Sequence, residues 1–321
     1  QIVMTDFYQH YSFSDPETDK PAIIGVMWPV VYPPDISRYL AIQHYYQQSQ
    51  FFSKEKLAAL QFKQLDLLLR HTLRTVPYYK TLFKSKGIKL KRQLDEQSWQ
   101  DLPILKRKVL QKQYENLISE KIPKIHGNTY TTSTSGSTGM AVSVLKTRLV
   151  QFFWNSVKLR DHEWHNRNTS GKLHASIRFV EDQNKARPPH GLTSNNWGYP
   201  LNWLSPPGQT ALLSIESTIT EQLQWLYQKE PNYVLTKPSN LYALAKAHEK
   251  NEEQIENLEQ LITIGECLDP DKREYCEAVF NVPIKDIYSS QEIGYIALQC
   301  PQHNHYHVQA ETILLEVLND N

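Results

Sequence analysis

The chain is poor in cysteine: three thiols, an odd number, among 321 residues. That excludes the disulfide framework of a small secreted domain and makes a reducing cytoplasm the expected compartment. It also lacks a charge excess. Lys and Arg number 35 against 34 Asp and Glu, a formal net charge of +1, which argues against broad attraction to nucleic acid or an anionic membrane. Long apolar runs are missing too. The most apolar segment, Ile23-Ile-Gly-Val-Met-Trp-Pro-Val-Val31, is short and contains a proline, well under the roughly 20 residues that cross a bilayer. The N-terminus shows no basic start, apolar core and small-residue cleavage site, so no signal peptide is expected. Internal repeats and long low-complexity tracts are absent. What remains is an ordinary globular composition, 40% hydrophobic and 21% charged, with length for one large domain or two ordinary ones.

Residues 1–50 are rich in Tyr, Pro and Gln and weak in periodicity, so they read as an irregular extension before a folded body at 51–321. A helix is predicted from the N-cap Ser53 to about Leu73, with Leu57, Leu60, Leu65 and Leu68 on one face. Val76-Pro77 breaks it, and a short helix over 79–86 stops at Gly87. Residues 101–106 read as a connector into a further helix, and 149–163 as a helix carrying Phe152, Phe153, Trp154 and Val157. A loop-rich tract over 181–210 concentrates Trp197, Tyr199 and Trp203, which either line an apolar ligand pocket or, more commonly, pack under the loop.

The last third has the clearest pattern. Strands over 233–236, 261–265 and 284–289 alternate with helices over 240–250, capped by Ser239, and 271–280. That β-α-β-α-β order implies an α/β fold with a parallel sheet and right-handed crossovers. A final strand is expected over 312–318.

Two features carry chemistry. Tyr130-Thr-Thr-Ser-Thr-Ser-Gly-Ser-Thr-Gly139 is uncharged and dense in hydroxyls. Such a loop can wrap a phosphate, with glycines allowing close backbone approach and amides pointing inward, or can be a flexible linker. It precedes an apolar strand over 140–145, so it is not the P-loop that opens a helix. The second feature is a set of polar groups at the carboxyl ends of the predicted parallel strands, where ligands bind in open sheets. These are Lys237-Pro-Ser239, Glu266 and Ser289-Ser-Gln-Glu292. Two carboxylates at neighbouring strand ends suit a metal ion, ribose or adenine. Asp286 lies inside a strand and is a candidate buried acid rather than a site residue.

Together with His71-Thr-Leu-Arg-Thr-Val-Pro-Tyr-Tyr79, Leu102-Pro-Ile-Leu-Lys106, Lys237-Pro-Ser-Asn-Leu-Tyr242 and the Cys300-Pro-Gln-His303 to Tyr306-His-Val308 segment, these stretches resemble the large N-terminal adenylation domain of the adenylate-forming enzymes. The resemblance runs from about residue 50 to the end and is strongest to the phenylacetate–coenzyme A ligase branch. It implies an α/β adenylation domain of sheet-and-helix subdomains. It also implies an ATP-dependent reaction in which a carboxylate, here an aromatic or other small acid, attacks the α-phosphate, and the acyl-adenylate passes to a thiol such as coenzyme A. Carried over residue by residue, Thr134, Ser135, Gly136, Ser137, Thr138 and Gly139 would hold the phosphates. Gly265 and Glu266 would flank adenine, and Tyr288, Ser289, Ser290 and Gln291 would line the adenylate. Glu292 would bind Mg²⁺ and, with Thr138, serve catalysis. The partners implied are a nucleotide and a small acid, with no nucleic acid or membrane, and a homodimer left open.

The chain departs from the family pattern in three places. Met140 and Ala141 stand where a lysine commonly follows the loop, and Lys146 is the nearest cation. Ser289 replaces a glycine beside the nucleotide. The ribose-binding aspartate, hinge and small C-terminal domain have no counterpart before Asn321, so the domain reads as truncated at that end. These departures keep two alternatives open: AMP transfer or amide formation on the same fold, in a capsule or secondary-metabolite pathway, and a non-catalytic binding relative. Cys300, His303, His305 and His307 also invite zinc, with Cys300, His303 and His307 the first choice, although the spacing matches no standard finger.

Overall fold

The computed structural model describes residues 22–23, 30–133, 141–180 and 185–318. The chain forms two compact units. One comprises His44–Phe153 and the segment from Ala310; the other comprises Trp154–Gln309 with the described residues up to Gln43. In chain order the elements begin with α1 (Pro34–Ser49), α2 (Lys54–Thr75), α3 (Pro77–Lys86), α4 (Glu96–Gln100), α5 (Arg107–Lys112) and α6 (Tyr114–Leu117). A hairpin of β1 (Thr129–Ser133) and β2 (Ser143–Thr147) follows, and then α7 (Arg148–Trp164).

Helix α1 corrects the reading of residues 1–50 as irregular throughout. Its buried residues Ile36, Tyr39 and Tyr46 are spaced three and seven apart, a helical stripe built mostly from tyrosine among glutamines, which a search for aliphatic periodicity does not register. Helix α2 starts as its sequence predicts, with the Ser53 hydroxyl accepting the Lys56 N–H at 3.3 Å. Its inward face differs from the expected one. Phe62, Leu65, Leu69 and Leu73 gather around Phe83 and Leu94, whereas Leu60 and Leu68 are 41% and 55% exposed. Three consecutive leucines at 67–69 leave the helical phase ambiguous in sequence, and packing selects Leu69. Pro77 opens α3, and Gly87, at φ 64°, closes it.

The strand expected over 140–145 is β2, and it pairs antiparallel with β1, which the sequence reading missed. The two strands close the neck of the Ser/Thr/Gly loop, with the Ser133 and Ser143 hydroxyls 2.8 Å apart. Thr134, Ser135, Gly136, Ser137, Thr138 and Gly139 lie outside the described residues.

The second unit holds β3 (Leu173–Arg178), β4 (Leu192–Ser194), α8 (Leu201–Leu204), β5 (Gln209–Ser214), α9 (Ile219–Lys229) and β6 (Tyr233–Thr236). It continues with α10 (Pro238–His248), β7 (Gln260–Ile264), α11 (Pro270–Phe280), β8 (Ile284–Ser290), β9 (Gly294–Gln299) and β10 (Tyr306–Val308). The sheet order is β10-β9-β8-β7-β6-β3-β5-β4. Strands β5, β3, β6, β7 and β8 run parallel; β4 pairs antiparallel with β5, and β9 pairs antiparallel with both β8 and β10. The expected parallel β-α-β-α-β unit is therefore β6-α10-β7-α11-β8.

Strands β6 and β7 read as near-continuous apolar runs because both faces are covered, whereas β8 carries Lys285 and the buried Asp286 between its isoleucines. On one face Leu213, Val234, Leu261 and Ile284 pack with Trp225, Leu226, Leu241, Leu244 and Phe280 of the helices. Helix starts are set by local chemistry. Thr218 and Glu221 form a capping box on α9, and the Asp269 carboxylate accepts two amides of α11. Two expectations are corrected. Lys237, not Ser239, is the N-cap of α10, because Pro238 takes the first helical position. Residues 312–318 form no strand; the terminal strand is β10, which returns antiparallel on β9.

Candidate functional site

The parallel strands β3, β6, β7 and β8 bring their carboxyl ends to one edge of the second unit. At β7 the chain leaves through Gly265, whose φ of 86° few other residues adopt, and presents Glu266. The Glu266 carboxylate accepts the Ser239 N–H at the start of α10 at 3.1 Å, and its other oxygen lies 3.5 Å from Lys237 Nζ. Partial burial pushes this carboxyl's pKa up, but the Ser239 hydrogen bonds and the Lys237 charge outweigh it and hold Glu266 below the usual carboxylate range. The sequence names both residues but not their pairing, which depends on β6 and β7 being neighbours.

Strand β8 ends in Tyr288, Ser289 and Ser290, and Gln291, Glu292 and Ile293 form the turn into β9. The ladder carries a β-bulge between Tyr288 and Ser289, a device that re-aims side chains next to active sites. Ser290 Oγ accepts the Ile293 N–H at 3.3 Å and tightens the turn. Glu292 is half-buried and has no hydrogen-bond or ion-pair partner among the described residues. Large apolar side chains surround these groups: Phe179, Tyr288 and Ile293 are each more than half exposed.

Trp154, which sequence reasoning treated only as a helix residue, fixes this turn from behind. Gly294 has φ 94°, and a Cβ there would meet Trp154 Cε3 at 2.9 Å. The Trp154 and Tyr295 rings pack in a tilted arrangement, with centroids 5.1 Å apart. A glycine two residues after the turn glutamate was the available signal; the tryptophan had none.

Below the site, Asp286 is buried, as anticipated. It accepts from the Thr263 hydroxyl and, at 2.5 Å, from the Tyr306 hydroxyl of β10, while its own N–H donates to Gln299 Oε1 at 2.9 Å. Arg273 donates to the same Gln299 oxygen at 2.9 Å. Burial and the Asp286 partner push the Tyr306 pKa up. This network fastens β10 to β8 and carries no free group for chemistry.

On the far side of β10, Cys300, His305 and His307 place one ligand atom each within 4.8 Å of one another. The zinc set therefore differs from the one first chosen: His303 stacks on His305 at 5.5 Å between ring centroids instead of joining the three. Thiolate and imidazole donors suit zinc, which takes four ligands. Cys267 is exposed and Cys276 buried, and neither joins the group.

The aromatic loop over 197–203 does not serve the candidate site. Trp197 is buried against His174, Tyr233 and His162, with ring centroids 5.2–5.4 Å apart, and its indole donates to the Lys172 carbonyl. His174 and Tyr233 begin β3 and β6, so this cluster sits at the amino ends of the strands. The bland alternative, packing under a long loop, is what the structure contains. Asp161 pairs there with Arg167 and lies 3.4 Å from His165.

In the other unit, Lys146 is 3% exposed on β2, opposite Tyr130 in the ladder. No helix of the described residues is long and apolar enough to cross a membrane.

No protein-family profile matches the chain, and no curated protein matches it significantly in sequence. Its fold does match solved structures. One is 2-hydroxyisobutyryl-CoA ligase in the postadenylation state with 2-HIB-AMP, at TM-score 0.59 and 13% identity over 79% of this chain. The same ligase with 2-HIB-AMP and CoA in the thioesterification state gives TM-score 0.58 and 14% identity over 79%. An open conformation with the same two molecules gives 0.55 and 14% over 76%. The chain spans about half the length of that ligase, 52–53%. The α/β fold expected from the sequence, with its parallel β-α-β-α-β unit, is the fold observed, and it is the fold this chain shares with that ligase.

Proposed function

We propose that this chain carries the acid-activating site of an adenylate-forming ligase, which makes an acyl-adenylate from ATP and a carboxylic acid and passes the acyl group to a thiol such as coenzyme A. The observation that supports this most is Glu292, a half-buried carboxylate without a partner among the described residues, held in a tight turn at the carboxyl end of a parallel sheet whose fold matches an acid–CoA ligase. Adenine would lie against Gly265 and Glu266, and the adenylate along Tyr288, Ser289, Ser290 and Gln291. The apolar rim of Phe179, Tyr288 and Ile293 supports a small aromatic acid; the 197–203 loop no longer does.

Glu292 would hold Mg²⁺, whose charge, when bound, offsets that of the phosphates during attack. The loop from Thr134 to Gly139 would hold the phosphates, with Thr138 donating to them. The Ser239 amide and Lys237 keep Glu266 ionised and oriented, so its carboxylate can accept from an adenine amino group. Zinc on Cys300, His305 and His307 would act structurally, clipping β10 to the end of β9; metal analysis of untagged protein tests it, and a metal-free protein of unchanged stability after chelation would reject it.

Acid-dependent ATP–pyrophosphate exchange against a panel of aryl and alkyl acids tests the activity. Exchange with one class of acid is expected, strongest for aryl acids. No exchange with any acid from folded full-length gene product would reject the reading. Product analysis with and without coenzyme A then separates thioester formation from AMP transfer or amide formation.

A further inference from the structure

The net charge of +1 conceals a division. Residues 54–153 hold 19 Lys and Arg against seven Asp and Glu, whereas residues 154–309 hold 14 against 19. In the basic stretch the cations lie on neighbouring elements, since α6 packs against both α3 and α5. The Glu120 N–H donates to the Thr75 carbonyl at 2.7 Å, and its carboxylate pairs with Lys80 at 2.6 Å, tying the segment after α6 to the same cluster. Lys84 and Lys86 at the end of α3, Arg107 and Lys108 on α5, and Lys121 and Lys124 after α6 are all exposed. None of these six has a carboxylate within ion-pair distance among the described residues.

Two large aliphatic side chains stand in the same basic runs. Ile104, just before Lys106-Arg107-Lys108, is 69% exposed, and Ile125, directly after Lys124, is 89% exposed. We propose that this face of the first unit docks on an anionic lipid bilayer, with the lysines and arginines at the headgroups and Ile104 and Ile125 in the acyl boundary. Interfacial binding of this kind combines basic charge with exposed aliphatic anchors and needs no spanning helix. Single-stranded nucleic acid is the poorer fit, because its sites rely on exposed aromatic platforms, whereas around this cluster Tyr79, Phe83 and Trp99 pack into the unit's own core and the Tyr114 hydroxyl bonds with that of Thr131. The inference does not depend on the proposed activity.

Co-sedimentation of the full chain with vesicles tests it, comparing pure phosphatidylcholine with phosphatidylcholine containing phosphatidylglycerol at physiological salt. Binding to the anionic vesicles alone is expected. Lys106→Glu with Arg107→Glu and Lys108→Glu should abolish it, and Ile104→Ser with Ile125→Ser should weaken it by about tenfold. All substitutions are at surface positions, and an unchanged thermal midpoint verifies the fold. Absence of binding by the wild-type chain would overturn the proposal. So would binding indifferent to the isoleucine changes, which would leave attraction by charge alone and no aliphatic anchoring at the acyl boundary.

Discussion

The two ends of the sheet in the second unit are made for different purposes. At the carboxyl ends of β6, β7 and β8 the chain presents Lys237, Glu266, Ser289 and Glu292 in turns with left-handed glycines at 265 and 294, and leaves Phe179, Tyr288 and Ile293 exposed. At the amino ends of β3 and β6 it buries His162, Trp197 and Tyr233 with the Asp161–Arg167 pair, and packs the half-buried His174 against Trp197. Charged and apolar groups occur at both ends. The difference is whether they are closed upon one another or left available to a ligand, and that is decided by topology, not composition.

The largest effect expected from this contrast is at Glu292. Glu292→Gln should lower acid-dependent pyrophosphate exchange by about 10²–10³-fold, the usual scale for removing a charge-stabilising group, while leaving the thermal midpoint unchanged. Equal losses of activity and stability would make Glu292 a structural residue and erase the contrast.

The amino end should instead reveal itself through pH. Burial, first of all, lowers the pKa of His174 to about 3 and of His165 to about 4, in the latter against the pull of Asp161. Burial also holds His162 well below its ordinary value, with Arg167, Lys158, His174 and His165 adding repulsion. Above about pH 6.5 these histidines are neutral folded or unfolded and contribute no pH dependence. Below it only the unfolded chain takes up protons, so stability falls with pH until the folded values are reached. His165 and His174 together should cost about 3 kcal/mol by pH 5.5, at about 1.4 kcal/mol per unit each. Denaturant unfolding across pH 8 to 5 measures this, and a flat profile would contradict the buried, neutral assignment.

A smaller effect lies in the turn itself. Gly294→Ala places a Cβ against Trp154 in a left-handed conformation, with an expected cost of about 2 kcal/mol. Trp154→Phe should ease that clash while raising the apparent Mg²⁺ requirement, because the turn bearing Glu292 loses its backing. Magnesium titration of the exchange reaction in both variants separates positioning from simple loss of fold. The smallest change is Tyr306→Phe, expected to cost about 1 kcal/mol by leaving one Asp286 oxygen short of a donor, without altering exchange kinetics.

The contrast was only half visible in the sequence. Strands β6, β7 and β8 were legible because each is a short β-rich run bounded by turn residues, and their order alone placed Lys237, Glu266, Ser289 and Glu292 at one edge. The closed end was not legible: Trp197 could line a pocket or pack, and only its neighbours on β3 and β6 decide. Helix α1 escaped because its buried stripe is tyrosine, β1 because Thr129-Tyr-Thr-Thr-Ser133 has no aliphatic residue, and the phase of α2 because three leucines run together. Trp154 behind Gly294, and Tyr306 on Asp286, join residues more than a dozen positions apart and exist only once the chain has folded.

The most direct test of the account is amide hydrogen exchange with and without a non-hydrolysable acyl-adenylate analogue. Protection should appear at 237–241, 264–267 and 288–294 and be absent at 162–174 and around Trp197. Protection at the amino ends of the strands, or none at the three carboxyl-end segments under saturating analogue, would contradict it.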